Sequence, residues 1–192
     1  TEITADLAAG SDLQWLLQRF LEPIMRLAGA QAGAVRMLGE DDRTLELISE
    51  IGLPADISGA ERSVDRHCGA CGAAADEARI VWADDLSPCA QRTQGSFFGR
   101  GCRHVLAVPL QYRGKLLGIY NLFFIDSDAP SAAITGVLKS VGELLGLALH
   151  NARLEAEHLR ATVMHERQTM AAEVHDSIAQ TLQVQLDASL SA

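Results

Sequence analysis

Four cysteines crowd into one stretch of the chain: Cys68 and Cys71 within Cys-Gly-Ala-Cys, then Cys89, then Cys102. Four converging thiolates suit a tetrahedral zinc ion or an iron–sulfur cluster, and glycines after Cys68 and Cys71 let the backbone wrap a small site. The intervals of two, seventeen and twelve residues follow neither ferredoxin nor zinc-ribbon spacing. Arg62, Arg66, Arg92, Arg100 and Arg103, with His67 and His104, flank the cysteines in an otherwise acidic chain of net charge -9. Cations beside a thiol lower its pKa and offset the charge of a thiolate-bound centre. Phe97, Phe98 and Trp82 are available to shield such a centre from water. The same residues admit other readings: a thiol/disulfide switch without metal, or small buried hydrophobes. In a further reading the basic residues bind a small anion and the cysteines are incidental.

A second constellation lies near the end, in Glu166–Leu182. On a helix Met170, Val174, Ile178 and Leu182 form one apolar row, which places His175 about 100° off that row and Asp176 further round. A nucleophilic imidazole needs this placement, on a packed helix but facing solvent, with a carboxylate beside it to orient or take the ring proton.

The elements that position these residues follow from periodicity. Leu13, Leu16, Leu17, Phe20, Leu21, Ile24 and Leu27 recur at three and four, predicting an amphipathic helix over 11–30 with Ser11 or Asp12 as N-cap and Gly29 as stop. Residues 33–38 and 44–49 around Gly39-Glu40-Asp41-Asp42 form one hairpin, and residues 105–112 and 116–125 around Tyr112-Arg113-Gly114-Lys115 a second. From Ser131 a stripe of Ile134, Leu138, Val141, Leu145, Ala148, Ala152 and onward steps by three and four, predicting one long helix. Its continuation past about His150 fits a helix paired with a second copy of itself.

The chain has 192 residues, 48% hydrophobic and 21% charged, which is room for one ordinary domain and an extension. Its acidic balance repels phosphate backbones, so nucleic acid is not expected as a partner. The longest strongly apolar stretch considered, Leu116–Ile125, is too short for a membrane helix, so no span is expected in this segment. Thr1 at the start and a helical pattern at the end read as a segment of a longer protein, which itself can carry a membrane anchor.

The order of helix, hairpin, mixed segment, hairpin and long helix predicts an α+β domain with an antiparallel sheet and helices on one face, and it resembles a GAF domain, a small-ligand and redox sensing module. The supporting residues are Val105-Leu106-Ala107-Val108-Pro109-Leu110 followed by Gly114-Lys115-Leu116-Leu117-Gly118-Ile119-Tyr120-Asn121-Leu122. The resemblance implies an α+β fold, an antiparallel sheet with flanking helices, over residues 1–150. Glu166-Arg167, Glu173-Val174-His175-Asp176 and Gln180 resemble the phospho-acceptor box of the NarX-type sensor histidine kinases; Ala172 stands where that family more often has Arg. By that resemblance His175 is the phosphorylated residue, Asp176 the adjacent base and Gln180 a framing polar position. Residues 151–164 are then a signalling helix, and 165–192 the start of the dimerisation and phospho-acceptor region.

The resemblance further implies a cytoplasmic homodimer that uses ATP through a domain outside this segment and passes its phosphoryl group to a NarL-type response regulator. The expected signal is redox state, oxygen or a small molecule, read through Cys68, Cys71, Cys89 and Cys102 as ligands of an iron–sulfur cluster or zinc. Rival readings are a GAF domain for a small anion such as nitrate or for an organic ligand such as a cyclic nucleotide, and a cysteine-dependent methionine sulfoxide reductase on the same fold.

Overall fold

Alternating strands and tight turns build the sheet. In the computed structural model, which describes the backbone of residues 2–93 and 97–190 and the side chains of 13–93 and 97–182, both expected hairpins form. β1 (Ala32–Leu38) pairs with β2 (Thr44–Ile51), and β5 (His104–Tyr112) with β6 (Lys115–Phe124). Arg113 and Gly114 both take left-handed conformations, with φ of 50° and 77°, the two-residue turn whose twist matches the strands it joins. β1 also pairs with β6, and the short strands β3 (Ser63–Asp65) and β4 (Val81–Ala83) close the edges in the order β3-β2-β1-β6-β5-β4, antiparallel throughout.

Helices cover both faces rather than the one expected, because the mixed central segment folds into short helices over the second face, and β6 is therefore buried from Leu117 to Phe124 instead of on alternate residues. On one face α1 (Glu2–Ala28) and the first part of α5 (Ala132–Leu190) lay Leu17, Leu21, Leu138 and Leu145 against Val35, Leu106 and Leu122. α5 sits close to β5: a Cβ at Gly142 would come within 2.9 Å of the Pro109 carbonyl oxygen, and one at Gly146 within 2.3 Å of that of Gln111. The buried Tyr120 hydroxyl donates to the Leu138 carbonyl at 2.8 Å, and burial pushes its pKa up. On the other face α2 (Ala55–Ala60), α3 (Gly69–Glu77) and α4 (Ser87–Thr93) cover the sheet, and Ile57, Ala74 and, from the segment before β5, Cys102 pack with Leu45, Ala107, Ile119 and Phe123.

Contacts divide the chain into residues Thr1–Ala152 and Arg153–Ala192. The first is the α+β domain. The second is helical to Leu190, and its apolar row Met170, Val174, Ile178 and Leu182 is 54–64% exposed.

Two further expectations change. α1 begins at Glu2, so Ser11 and Asp12 lie within the helix rather than at its start; their side chains fall outside the described residues. Gly29, at φ 75°, does end it. The stretch with the length and hydropathy of a membrane helix is Ala132–Leu182 rather than Leu116–Ile125. In its first five turns Leu138, Leu145 and Leu149 seat against the sheet, whereas Val137, Leu144 and Leu147 are exposed.

Candidate functional site

β1 alternates, so Ala34, Arg36 and Leu38 share the face under α2–α4, where Arg36 emerges between Leu47 of β2 and Ile119 of β6. Arg36 is 1% exposed. A bare cation there would be costly, and the chain supplies its partner from 25 residues on. At the end of α2 the Glu61 amide donates to the Ile57 carbonyl at 2.8 Å, which turns the Glu61 side chain inward. Arg36 donates to the Glu61 carbonyl oxygen at 2.5 Å and to Oε2 at 2.6 Å. The other carboxylate oxygen, Oε1, accepts from Arg92 of α4 at 2.6 Å. Arg92 in turn donates to Cys68 Sγ and, at 3.4 Å, to the Pro88 carbonyl. Two guanidinium groups and one carboxylate leave one net positive charge in this layer, and the Nε atoms of both Arg36 and Arg92 are buried without a hydrogen-bond partner.

The cysteines lie around the end of this chain but meet different partners. Cys68 is the half-buried N-cap of α3, placed by its amide bond to the Asp65 carbonyl at 3.0 Å. Cys71, in the first turn of α3, accepts from Asn121 Nδ2 at 3.3 Å and donates back to Oδ1 at 3.5 Å. Cys89 stands three residues before Arg92, on the same side of α4. Cys102, 1% exposed, donates to the His104 carbonyl at 3.4 Å. Burial pushes the thiols of Cys71, Cys89 and Cys102 up, Cys89 to about 11 and Cys102 to about 12, against the expectation that flanking cations would lower them.

The physical reason is that most of those cations are engaged elsewhere. Arg66 pairs with Asp42 at 2.7 Å, Arg103 with Asp126 at 3.7 Å, His67 with Asp76 at 3.0 Å and His104 with Asp84 at 2.8 Å. Trp82 stacks on His104 at 5.0 Å and packs with the α1–α5 face, so the sheet separates it from the thiols; Phe97 and Phe98 do belong to the cysteine face. Among the described residues no three His, Cys, Asp or Glu side chains form a group that could hold a metal ion. As arranged, Cys68, Cys71, Cys89 and Cys102 therefore do not fit a zinc or iron–sulfur ligand set. A groove of about 430 Å³ beside α4, lined by Asp84, Asp85, Ser87, Phe98, Arg103 and His104, includes none of the four.

Sequence reasoning named Arg92 but missed Arg36, Glu61 and Asn121. The signal was present for Arg36 alone, a charge on the apolar side of an alternating strand. His175 lies in the second unit, 86% exposed, with Nδ1 4.0 Å from Asp176 Oδ1; Gln180 is exposed on the same helix.

A six-stranded antiparallel sheet carrying α1 and α5 on one face and short helices over a polar cluster on the other defines a GAF-type module. The chain belongs to the GAF domain family, whose model matches residues 10–150. Over 186 residues it is 24% identical to the sensor histidine kinase YhcY of Bacillus subtilis, covering 94% of this chain and 48% of that protein. The chain thus spans about half the length of that relative. Its fold is similar to a type II free methionine-R-sulfoxide reductase from Thermoplasma acidophilum, with a TM-score of 0.60 and 17% identity over 74% of this chain and 96% of that one. It is also similar to the GAF domain of a phosphoenolpyruvate-protein phosphotransferase from Coxiella burnetii, with a TM-score of 0.62 and 14% identity over 76% and 86%.

Proposed function

We propose that this chain is the cytoplasmic sensory and signalling segment of a NarX-type sensor histidine kinase. The domain over residues 1–150 reads redox state, oxygen or a small molecule in the layer under α2–α4. Residues 151–164 carry the signal, and 165–192 open the phospho-acceptor region. His175 takes the phosphoryl group, Asp176 orients or accepts its ring proton, and Gln180 frames it. The observation that carries the reading is that α5, Ala132–Leu190, both supplies core residues of the sheet domain and bears His175 and Asp176 in one helix. The exposed row Met170, Val174, Ile178 and Leu182 supports a homodimer, since a lone solvated helix gains nothing from an apolar seam. ATP is bound by a further domain of the parent, and a NarL-type response regulator receives the phosphoryl group. The signal biases two packings of the paired helices, one of which presents His175.

The test supplies an ATP-binding domain of this kinase class on the same chain or in trans. Radiolabel from ATP should enter the chain as acid-labile phosphate and vanish in His175→Gln. Label that persists in that variant overturns the assignment.

A further inference from the structure

We infer that Cys68 is a nucleophilic thiol whose anion is held by Arg92, that it reacts with hydroperoxides, and that Cys89 resolves the product as a disulfide. This deepens the redox part of the proposed function, but it is read from the chemistry of the α+β domain and does not involve His175.

The buried charges lead to it. Glu61 can neutralise one of Arg36 and Arg92, and Arg36, 1% exposed and doubly bonded to Glu61, has the stronger claim. The surplus positive charge therefore resides at Arg92, whose free edge is directed at Cys68 Sγ. An anion formed on that sulfur makes the sequence Arg36, Glu61, Arg92, Cys68 electrically neutral, and it is the thiolate, rather than the thiol, that attacks. Cys68 makes no side-chain capping bond at the start of α3, a nine-residue helix, so its sulfur has no competing local task and gains from the helix N-terminus as an anion. It is also only half-buried, so a small oxidant can reach it.

The other thiols are placed for different work. Cys71, half-buried, is tied to Asn121, and Cys102 is buried in the same cluster as Phe98. Cys89 Sγ lies 4.0 Å from where a Cβ on Gly69 would stand, next to Cys68, and the Arg92 charge lies close enough to favour its anion. Burial pushes the Cys89 thiol up to about 11, so it stays protonated at neutral pH.

The steps balance. The Cys68 thiolate attacks one peroxide oxygen; an S–O bond forms, the O–O bond breaks, and the departing alkoxide takes up the proton that Cys68 had released to solvent. Sulfur is oxidised by two electrons to a sulfenic acid. That product is neutral, so Arg92 is left to stabilise the anion of Cys89. Cys89 loses its proton, attacks the sulfenyl sulfur, and the hydroxyl leaves with that proton as water. In total two thiols and one hydroperoxide give one disulfide, one alcohol and one water, or two waters when hydrogen peroxide is used.

The experiment uses the whole chain, reduced and desalted anaerobically, with one equivalent of hydrogen peroxide, then iodoacetamide and trypsin. Cys68 and Cys71 share the peptide 67–79, whereas Cys89 lies in 80–92. The expected product is a cross-link between these two peptides. In Cys89→Ser, dimedone should instead trap a sulfenic acid on Cys68. Arg92→Gln should slow oxidation of Cys68 at pH 7 about tenfold or more, with the rate recovering as pH is raised, and Arg92→Lys should restore part of it. Far-UV circular dichroism confirms that each variant is folded. The inference is overturned by Cys68 oxidising no faster than in the urea-unfolded chain, by a Cys68–Cys71 bond within one peptide, or by an unchanged pH profile in Arg92→Gln. It is equally overturned if zinc, or iron with sulfide, binds stoichiometrically through the four cysteines, or if sodium nitrate protects Cys68 saturably, which would make Arg92 part of an anion site. Labelling of His175 is untouched by any of these results, so the two readings fail separately.

Discussion

Glu61→Gln isolates the charge arrangement on which the site depends. The substitution keeps the side-chain shape but removes the one carboxylate between two guanidinium groups, each bonded to it at 2.6 Å. Arg36 is then a buried cation without a counter-charge, left with the backbone carbonyl of residue 61 at 2.5 Å and a single amide oxygen to share with Arg92. Breaking one side of a buried pair costs about 3–5 kcal/mol. The Arg92 arm adds less, because that side chain is 28% exposed and water screens it. Arg36→Met should cost less, about 1–2 kcal/mol, because Glu61 and Arg92 remain a matched pair and methionine fills much of the space. Combining the two leaves Arg92 as the single charge, partly in solvent, so the double variant should be more stable than the sum of single losses predicts. Urea unfolding followed by far-UV circular dichroism measures all four corners. In thermal melts Glu61→Gln should lower the midpoint on the order of 10 °C, at about 2–4 °C per kcal/mol for a domain of this size. A cost below about 1 kcal/mol for Glu61→Gln, or a larger cost for Arg36→Met, refutes the ledger.

Two further outcomes follow from packing and burial. Gly146→Ala should destabilise the α+β domain by about 1–3 kcal/mol although alanine favours helix, because its Cβ meets the Gln111 backbone at 2.3 Å. Gly136→Ala, with nothing within 4 Å, should stabilise by up to about 1 kcal/mol, and equal effects in urea melts would sink the close-packing argument. Stability should also fall as pH rises above 9: the unfolded thiols ionise from 9.0, while burial holds Cys89 to about 11 and Cys102 to about 12, so the folded state retains protons that the unfolded state has lost. Urea midpoints at pH 8, 9.5 and 10.5 should decline, less steeply in Cys102→Ala; a flat profile contradicts the burial of both thiols.

Local pattern alone determined the scaffold. The alternation in 44–49, the Arg113-Gly114 turn and the three-four stripe of α5 each involve neighbours within a few residues, where side-chain direction is set by the period of the element. Those signals place both hairpins, the long helix and hence the α+β class. The short elements β3, β4, α2, α3 and α4 had no such signal, since three to nine residues hold too little periodicity to read. What a side chain meets across the sheet is a different matter. Trp82 is close to the cysteines in sequence yet lies on the opposite face, because one residue of register decides the side. Arg62, Arg66, Arg92, Arg100 and Arg103 look equivalent beside the thiols, but Arg66 and Arg103 pair with surface carboxylates while Arg92 bridges Glu61 and Cys68. Glu61 gains its role only because the end of α2 stands over β1, joining Arg36 to Arg92 across 25 and 31 positions of sequence. Composition and spacing specify which charges and thiols the chain has; the electrostatic state of each depends on burial and partners brought together from distant segments, which the tertiary fold alone decides.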